Sequence, residues 1–354
     1  MTQLCGFRIE KRDEVSPWVR MAAILTALGG AFLLCAALIA SARADVGVAL
    51  GAIGLGALGT WPAFCDTLVK ATPLILTGLA ATVAFRARVW NIGGEGQLFA
   101  GAMAAYWVSA TFKGLPTPLY FILILGAAFA AGAACGLIPG WLKGRLGVDE
   151  IIVTVLMNYV VVYLFSFMLS DPWRDPRSYY LQSSAIPDAA QFPIVFAHTR
   201  LHAGFLVAVS MAVAAYIMLQ KTPLGYEIRA LGHNPRASQF KGIDVHRLVI
   251  VIMMISGGLA GLAGAGELAG VHYRLRLDIS ADYGFTGIII AMLAQLNPLG
   301  VILAGILFGG LSNGAFRMQV VTGVPVALVY AIQGIVLVFL LVAEALTRYR
   351  VRRV

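Results

Sequence analysis

Stretches of about twenty apolar residues recur from residue 21 almost to the carboxyl terminus, separated by short polar interruptions, and no other feature constrains this chain as strongly. A helix needs about 20 such residues to cross the hydrocarbon core of a bilayer. Lipid offers the backbone no hydrogen-bond partners, so recurrent runs of that length predict a bundle of membrane-spanning helices. Segments are read at approximately 21–41, 67–85, 92–111, 119–142, 150–169, 203–220, 248–270, 284–296, 299–316 and 325–345. The expected fold is an all-α integral membrane protein with about ten transmembrane helices. Only 12% of residues are charged, against roughly a quarter in soluble domains.

The first run, MAAILTALGGAFLLCAALIA, precedes Ala42-Arg43-Ala44, which resembles a signal-peptidase site. Its apolar part is about twice the usual length of a signal peptide's apolar region, so it is read as a retained span. Residues 1–20 then form an N-terminal tail, 21–345 a single transmembrane domain and 346–354 a basic tail. Cys5, Cys35, Cys65 and Cys135 are scattered without a C-x-x-C pair and are read as small apolar filler.

The net charge of +9 could suggest nucleic acid, but the basic residues lie in the loops between spans. An even number of spans puts both termini on one side. Most of the 26 lysines and arginines fall in loops on that side, including Arg86, Arg88, Lys143, Arg145, Arg229, Arg236 and Lys241. The asymmetry predicts a multi-pass protein of a cytoplasmic membrane with both termini inside.

Two connections are long. Residues 170–202 are rich in proline and aromatics and fall outside, where they could form a vestibule or dock a partner. Residues 221–247 fall inside and read as helix, turn, helix. Tyr226–Leu231 forms the first piece, Asn234-Pro235 opens the second, and Gly242 ends it.

Several motifs are excluded by context. Gly310-Leu311-Ser312-Asn313-Gly314 matches a nucleophile elbow but sits in an apolar helix, with no histidine in that segment. Gly264-Ala265-Gly266-Glu267-Leu268-Ala269 fits a loose dinucleotide pattern but follows a membrane helix rather than a strand. There is no G-x-x-x-x-G-K-[ST] and no H-E-x-x-H. Any ATP used must therefore be hydrolysed by another chain.

Polar groups inside spans are costly, which makes the few present functional candidates. They include Asn91, Glu95 and Gln97 near Phe99, Asn158 with Tyr159, Glu267, and Asn313. Glu267 is expected to face water or Arg274. Glu95 stands among Gly93, Gly94 and Gly96, which release the backbone from regular helix and leave N–H groups that favour an anion. Two readings stay open: a broken or re-entrant helix near residues 88–97, or a cap pairing with Arg86 or Arg88.

NIGGEGQLFAGAMAA (91–105), DEIIVTVLMNYV (149–160), GYEIRALGHNPRASQFKGID (225–244) and DYGFTGIIIAMLAQLNPLGVILAGILFGGLSNGA (282–315) occur in that order. Together they resemble the permease subunits of bacterial ABC importers for nucleosides and simple sugars, relatives of the ribose and branched-chain amino acid permeases. The resemblance covers roughly residues 65–345. It implies a permease domain in the bacterial inner membrane, a second related or identical permease subunit, and a separate ABC ATP-binding subunit carrying ATP and Mg. It also implies a periplasmic or lipoprotein substrate-binding protein, and no cofactor on this chain. The NIGGEGQ form resembles the branch for purine nucleosides, with pentose transport as the alternative. The resemblance maps a cytoplasmic coupling helix onto Gly225, Glu227, Arg229, Ala230, Gly232, Asn234, Pro235, Ala237, Gly242 and Ile243. A nucleoside path calls for amides and aromatic faces more than fixed charge, which Asn91, Gln97, Phe99, Asn158, Tyr159 and Asn313 supply beside Glu95. An ion-coupled secondary transporter, with Glu95 as proton carrier, is the first rival. A membrane enzyme is the second, and no nucleophile, base and metal set supports it.

Overall fold

The computed structural model describes residues 3–4, 7–11 and 17–325 and, beyond them, 327–328, 330–332, 334–335, 338–339, 342 and 349–353. The chain divides into two units. One comprises Met1–Thr60 with Leu311–Val354, the other Trp61–Gly310.

In the first unit, α1 (Pro17–Ser41) is followed by α2 (Val46–Leu58). The axes of Gly29–Ser41 and Val46–Leu58 differ by 113°. Asp45 makes the corner by capping α2, its carboxylate accepting the Val48 N–H at 2.8 Å. Cys35, Ile39, Ala49 and Ala52 pack with Ala315, Met318 and Val324. Asn313 donates to the Gly56 carbonyl at 3.0 Å. Gly314 lies so close to the Ile53 carbonyl that a side chain would overlap it.

The membrane part is helical as expected, and three short strands pair at the chain ends: β1 (Gln3–Leu4), β2 (Phe7–Lys11) and β3 (Tyr349–Arg353). They pair antiparallel in the order β1-β2-β3, with Phe7 opposite Arg353 and Lys11 opposite Tyr349. Their sequences, FRIEK and YRVRR, alternate with the period of two that suits a strand.

The second unit contains α3 (Trp61–Arg86), α4 (Gly94–Thr111), α5 (Thr117–Trp141), α6 (Glu150–Ser170), α7 (Gly204–Lys221), α8 (Pro223–His233), α9 (Pro235–Phe240), α10 (Val245–Gly266) and α11 (Tyr283–Leu293). Helix α12 (Pro298–Thr322) begins there and runs through the unit boundary. Single π-helical turns, Leu142–Leu146 and Glu267–His272, extend α5 and α10. Among the described residues, six helices are long and apolar enough to cross a membrane: α3, extended α5, α6, α7, extended α10 and α12. The bent α1–α2 pair makes a seventh if counted as one span. Helix α11, with 11 residues, is about 16 Å long and reaches through about half of a hydrocarbon core. About half of the run expected at 325–345 lies outside the described residues.

Glycine sets the packing around α10. Gly257 faces the Gly132 carbonyl of α5, Gly261 faces the Ala128 carbonyl, and Gly136 faces the Met253 carbonyl, each at a distance that leaves no room for a Cβ. On its other side, Gly264 meets the Leu98 carbonyl of α4. Small residues four apart thus seat α10 between α4 and α5 with backbones in contact.

The connection 171–203 is ordered by backbone bonds to the stretch after α10. Ser183 N–H donates to Leu275 at 3.0 Å, Ile186 N–H to Tyr273 at 2.8 Å and Phe192 N–H to Ala269 at 2.8 Å. The segment 221–245 folds into α8 and α9 as expected. Thr222 caps α8 through the Gly225 N–H at 3.1 Å, and Asn234 caps α9 through the Ala237 N–H at 3.1 Å. Pro235 is the first residue of α9, and Gly242 follows it at φ 82°, a conformation that favours glycine.

Candidate functional site

Residues 87–93, between α3 and α4, are not helical, yet Ala87, Val89, Asn91 and Gly93 are buried. A buried unwound segment must find partners for its backbone groups. Here side chains provide them. Asn91 uses its full amide capacity: Nδ2 donates to Gln97 Oε1 (2.9 Å) and Ser256 Oγ (2.8 Å). Its Oδ1 accepts from Gly93 N–H (2.9 Å) and Gln97 Nε2 (3.2 Å). Ser256 in turn donates to the Ala80 carbonyl at 2.7 Å, which ties α10 to α3. Because the helix begins only at Gly94, Asn91 does not share a helical face with Glu95, and its neighbour is Gln97.

Glu95 occupies the first turn of α4 and is buried. One carboxylate oxygen accepts the N–H of Gly284, in the first turn of α11, at 2.7 Å. Gly284 and Glu95 are so close that a Cβ on Gly284 would overlap the Glu95 backbone. Tyr283, the first residue of α11, gives its carbonyl to Thr77 Oγ1, midway along α3, at 2.9 Å. Two helices therefore start face to face in the interior, and a carboxylate joins their N-termini. Within the stretch 88–97, read as a broken or re-entrant helix, residues 88–93 are an unwound connection and regular helix starts at Gly94. Pairing of Glu95 with Arg86 or Arg88 is not seen: none of the ion pairs among the described residues involves them.

A cavity of about 310 Å³ opens beside Glu95, at the small end of the range for ligand pockets. Its polar and aromatic lining is Glu95 and Phe99 from α4, Asn158 and Tyr159 from α6, Ser280 and Asp282 from the preceding connection, and Phe285 from α11. Val155, Val162 and Leu277 complete it. Phe99 is held edge-on against Phe165, with ring centroids 4.8 Å apart. None of these lining residues is a cation. Of the seven pathway residues named from the sequence, Glu95, Phe99, Asn158 and Tyr159 line this cavity. Asn91 and Gln97 lie behind the cavity, bonded to each other. Asn313 belongs to the other unit, where it bonds Gly56. Ser280, Asp282 and Phe285 were not foreseen. Asp282 precedes α11 at φ 57° and makes no capping bond, the kind of strained position that recurs at functional sites.

Glu267 is buried rather than facing water or Arg274, because the π-helical turn it opens carries it inward. Its carboxylate lies 3.4 Å from His272 Nε2. His202, before α7, is almost fully buried and accepts the Gly204 N–H through Nδ1 at 3.2 Å. Burial lowers its pKa to about 4, with Arg200 adding to the effect and Glu267 opposing it, so the ring is neutral at pH 7.

The residues mapped to coupling all lie on or beside α8 and α9. Gly225 sits against the Met218 carbonyl and Gly232 against the Arg86 carbonyl, each too close for a Cβ. Glu227 and Arg229 are half-buried on α8, and Ala230 accepts the Asn234 N–H at 3.0 Å. Ile243 N–H donates to Ser238 at 3.1 Å, closing α9. Phe240, at the end of α9, is 94% exposed and was not singled out from the sequence.

Long apolar helices and a glycine-seated bundle with a cavity beside two helix starts mark an integral membrane protein. Residues 63–341 match the family described as the branched-chain amino acid transport system permease component, and this chain belongs to that family. It is 39% identical over 280 residues to the guanosine ABC transporter permease NupP of Bacillus subtilis, covering 77% of this chain and 79% of the relative. It is 31% identical to the nucleoside ABC transporter permease NupB of Lactococcus lactis, covering 81% of each. It is also 35% identical to the glucose ABC transporter permease TsgB13 of Haloferax volcanii, covering 97% of this chain and 93% of the relative.

Proposed function

We propose that this permease component carries an uncharged, nucleoside-like solute, most simply a purine nucleoside, inward across the bacterial inner membrane. The observation that carries the reading is the lining of the cavity. Two carboxylates, Glu95 and Asp282, stand beside an amide, a hydroxyl and three aromatic rings, with no cation among the lining residues. A solute carboxylate or phosphate would meet two negative charges without compensation. Ribose hydroxyls, by contrast, find acceptors, and a flat base finds Phe99, Tyr159 and Phe285. The two nucleoside permeases among the relatives support the same choice, and the glucose permease supports a simple sugar as the second reading.

In this reading Asn91 and Gln97 hold the site from behind, while Glu95, Phe99, Asn158 and Tyr159 meet the solute. Asn313 takes a place along the pathway in the other unit. Helices α4 and α11 and the run 325–345 join the apolar helices to make about ten membrane-embedded segments in one permease domain, 21–345, with both termini cytoplasmic. Residues 170–202 face the periplasm and a substrate-binding protein, and α8–α9 face a separate ATP-binding subunit that holds ATP and Mg. The exposed Phe240 gives that subunit an apolar anchor. A second permease subunit, related or identical, completes the membrane core.

Competition tests the solute class. In cells whose uptake depends on this chain, unlabelled adenosine or inosine is expected to reduce uptake of tritiated guanosine by more than tenfold, and glucose, ribose and leucine to leave it unchanged. Competition by glucose or ribose alone would replace the nucleoside reading with the sugar one.

A further inference from the structure

Helix α6 carries three buried polar side chains four residues apart, Glu150, Thr154 and Asn158, whereas Ile152, Leu156, Tyr163 and Phe167 on the same helix are exposed. Residues four apart share a helical face, and all three polar groups point at the unwound stretch before α4. Glu150 Oε1 accepts the Trp90 N–H at 3.3 Å, and Thr154 Oγ1 accepts the Ile92 N–H at 3.3 Å. Asn158 donates to the Ile92 carbonyl at 2.9 Å and accepts the Gly96 N–H at 2.8 Å. Asn158 lines the cavity as well. One helix face thus supplies partners to the N–H groups of Trp90, Ile92 and Gly96 and to the Ile92 carbonyl.

The lower end of this ladder is charged. The second oxygen of Glu150 lies 2.7 Å from Lys143 Nζ, and Glu150 is buried while Lys143 is partly exposed. Lys143 belongs to the π-helical turn Leu142–Leu146, whose Gly144 carbonyl accepts a hydrogen bond from His246 Nδ1, in the first turn of α10. His246 comes two residues after the α8–α9 segment closes at Asp244. The same segment touches the other end of the unwound stretch, where Gly232 of α8 is seated on the carbonyl of Arg86, the last residue of α3. One contact therefore runs from α8 to the end of α3, and another from the start of α10, just after the α8–α9 segment, to the turn that carries Lys143.

We propose that Glu150 is a positioning residue for transport: paired with Lys143, it anchors the Glu150–Thr154–Asn158 ladder, so that displacement of the α8–α9 segment moves residues 90–96 and the cavity wall together. The inference rests on the cavity being the solute site and α8–α9 being the driven segment. A buried carboxylate needs its partner. Without Lys143 the ladder would hold at Thr154 and Asn158 but lose its connection to the turn that follows α5.

The test uses the full transporter, with its receptor and ATP-binding subunits, in liposomes, and reads solute accumulated per ATP hydrolysed. Glu150→Gln keeps an acceptor for the Trp90 N–H but removes the ion pair. Receptor-stimulated ATP hydrolysis is expected to stay within about twofold of wild type while tritiated guanosine moved per ATP falls about tenfold, within the range by which residues between coupled sites modulate coupling. Lys143→Met should show the same loss, Lys143→Arg should restore it, and the double variant Lys143→Met with Glu150→Gln should be no worse than either single one. Unchanged solute per ATP in both single variants would overturn the proposal. So would hydrolysis and uptake falling in proportion, which is the signature of a merely structural role. If wild type accumulates glucose and not guanosine, the solute reading fails, and the same ratio measured with glucose still decides the role of Glu150.

Discussion

Glu95 shows how much one side chain's meaning depends on what lies across from it. The glycines at 93, 94 and 96 announced a departure from helix and a backbone able to meet an anion. The partner, the N–H of Gly284, is 189 residues away in sequence, and no local pattern points to it. Asn158 is legible because an amide in an apolar run is rare, whereas Phe99 and Tyr159 stand among many aromatic residues and are picked out only by their polar neighbours in sequence. Ser280 and Asp282 are not legible, because a polar connection before an apolar run looks like any loop. Since the Glu95 carboxylate accepts a backbone N–H, the account requires an acceptor there rather than a proton carrier. Glu95→Gln is expected to keep uptake within about tenfold of wild type, its amide oxygen replacing the carboxylate at a cost of about 1 kcal/mol. Uptake assays at matched membrane levels check this, and complete loss with normal assembly would reopen proton-coupled transport.

At the scale of elements, the sequence located most long helices to within several residues, because apolar length is dictated by lipid. It failed where tertiary context decides. Residues 46–58 were left unassigned, although Asp45 caps a helix there; the sharp bend after Ser41 has no signature beyond that cap. The run at 284–296 was read as a span, yet α11 is half a span, its start fixed by Glu95 and Thr77 rather than by its own composition. The strands β2 and β3 were missed because alternation over five residues is easily lost among charged tails. Glycine spacing decides the packing here: Gly257 and Gly261, four apart, bring α10 and α5 into backbone contact. Gly257→Val would drive two methyl groups into the Gly132 carbonyl and is expected to destabilise the bundle by about 1–3 kcal/mol or more. Thermal unfolding in detergent should show a lower midpoint; an unchanged midpoint would remove that packing from the account.

For the molecule as a whole, the described residues hold a cavity beside Glu95 and a helical pair, α8–α9, seated on the end of α3, and the sequence carries no G-x-x-x-x-G-K-[ST] motif. Strands β2 and β3 pair the two chain ends with each other, and the proposed orientation puts both ends on the side where most basic loops fall. In the proposed reading the energy for accumulation enters through α8 and α9 from a separate ATP-binding subunit. The deciding measurement is guanosine accumulation in liposomes holding the assembled transporter, with ATP supplied or withheld and a protonophore added. Accumulation that requires ATP, persists with the protonophore and disappears when the ATP-binding subunit is catalytically inactive is the predicted result. Accumulation without ATP that collapses at once with the protonophore would contradict it.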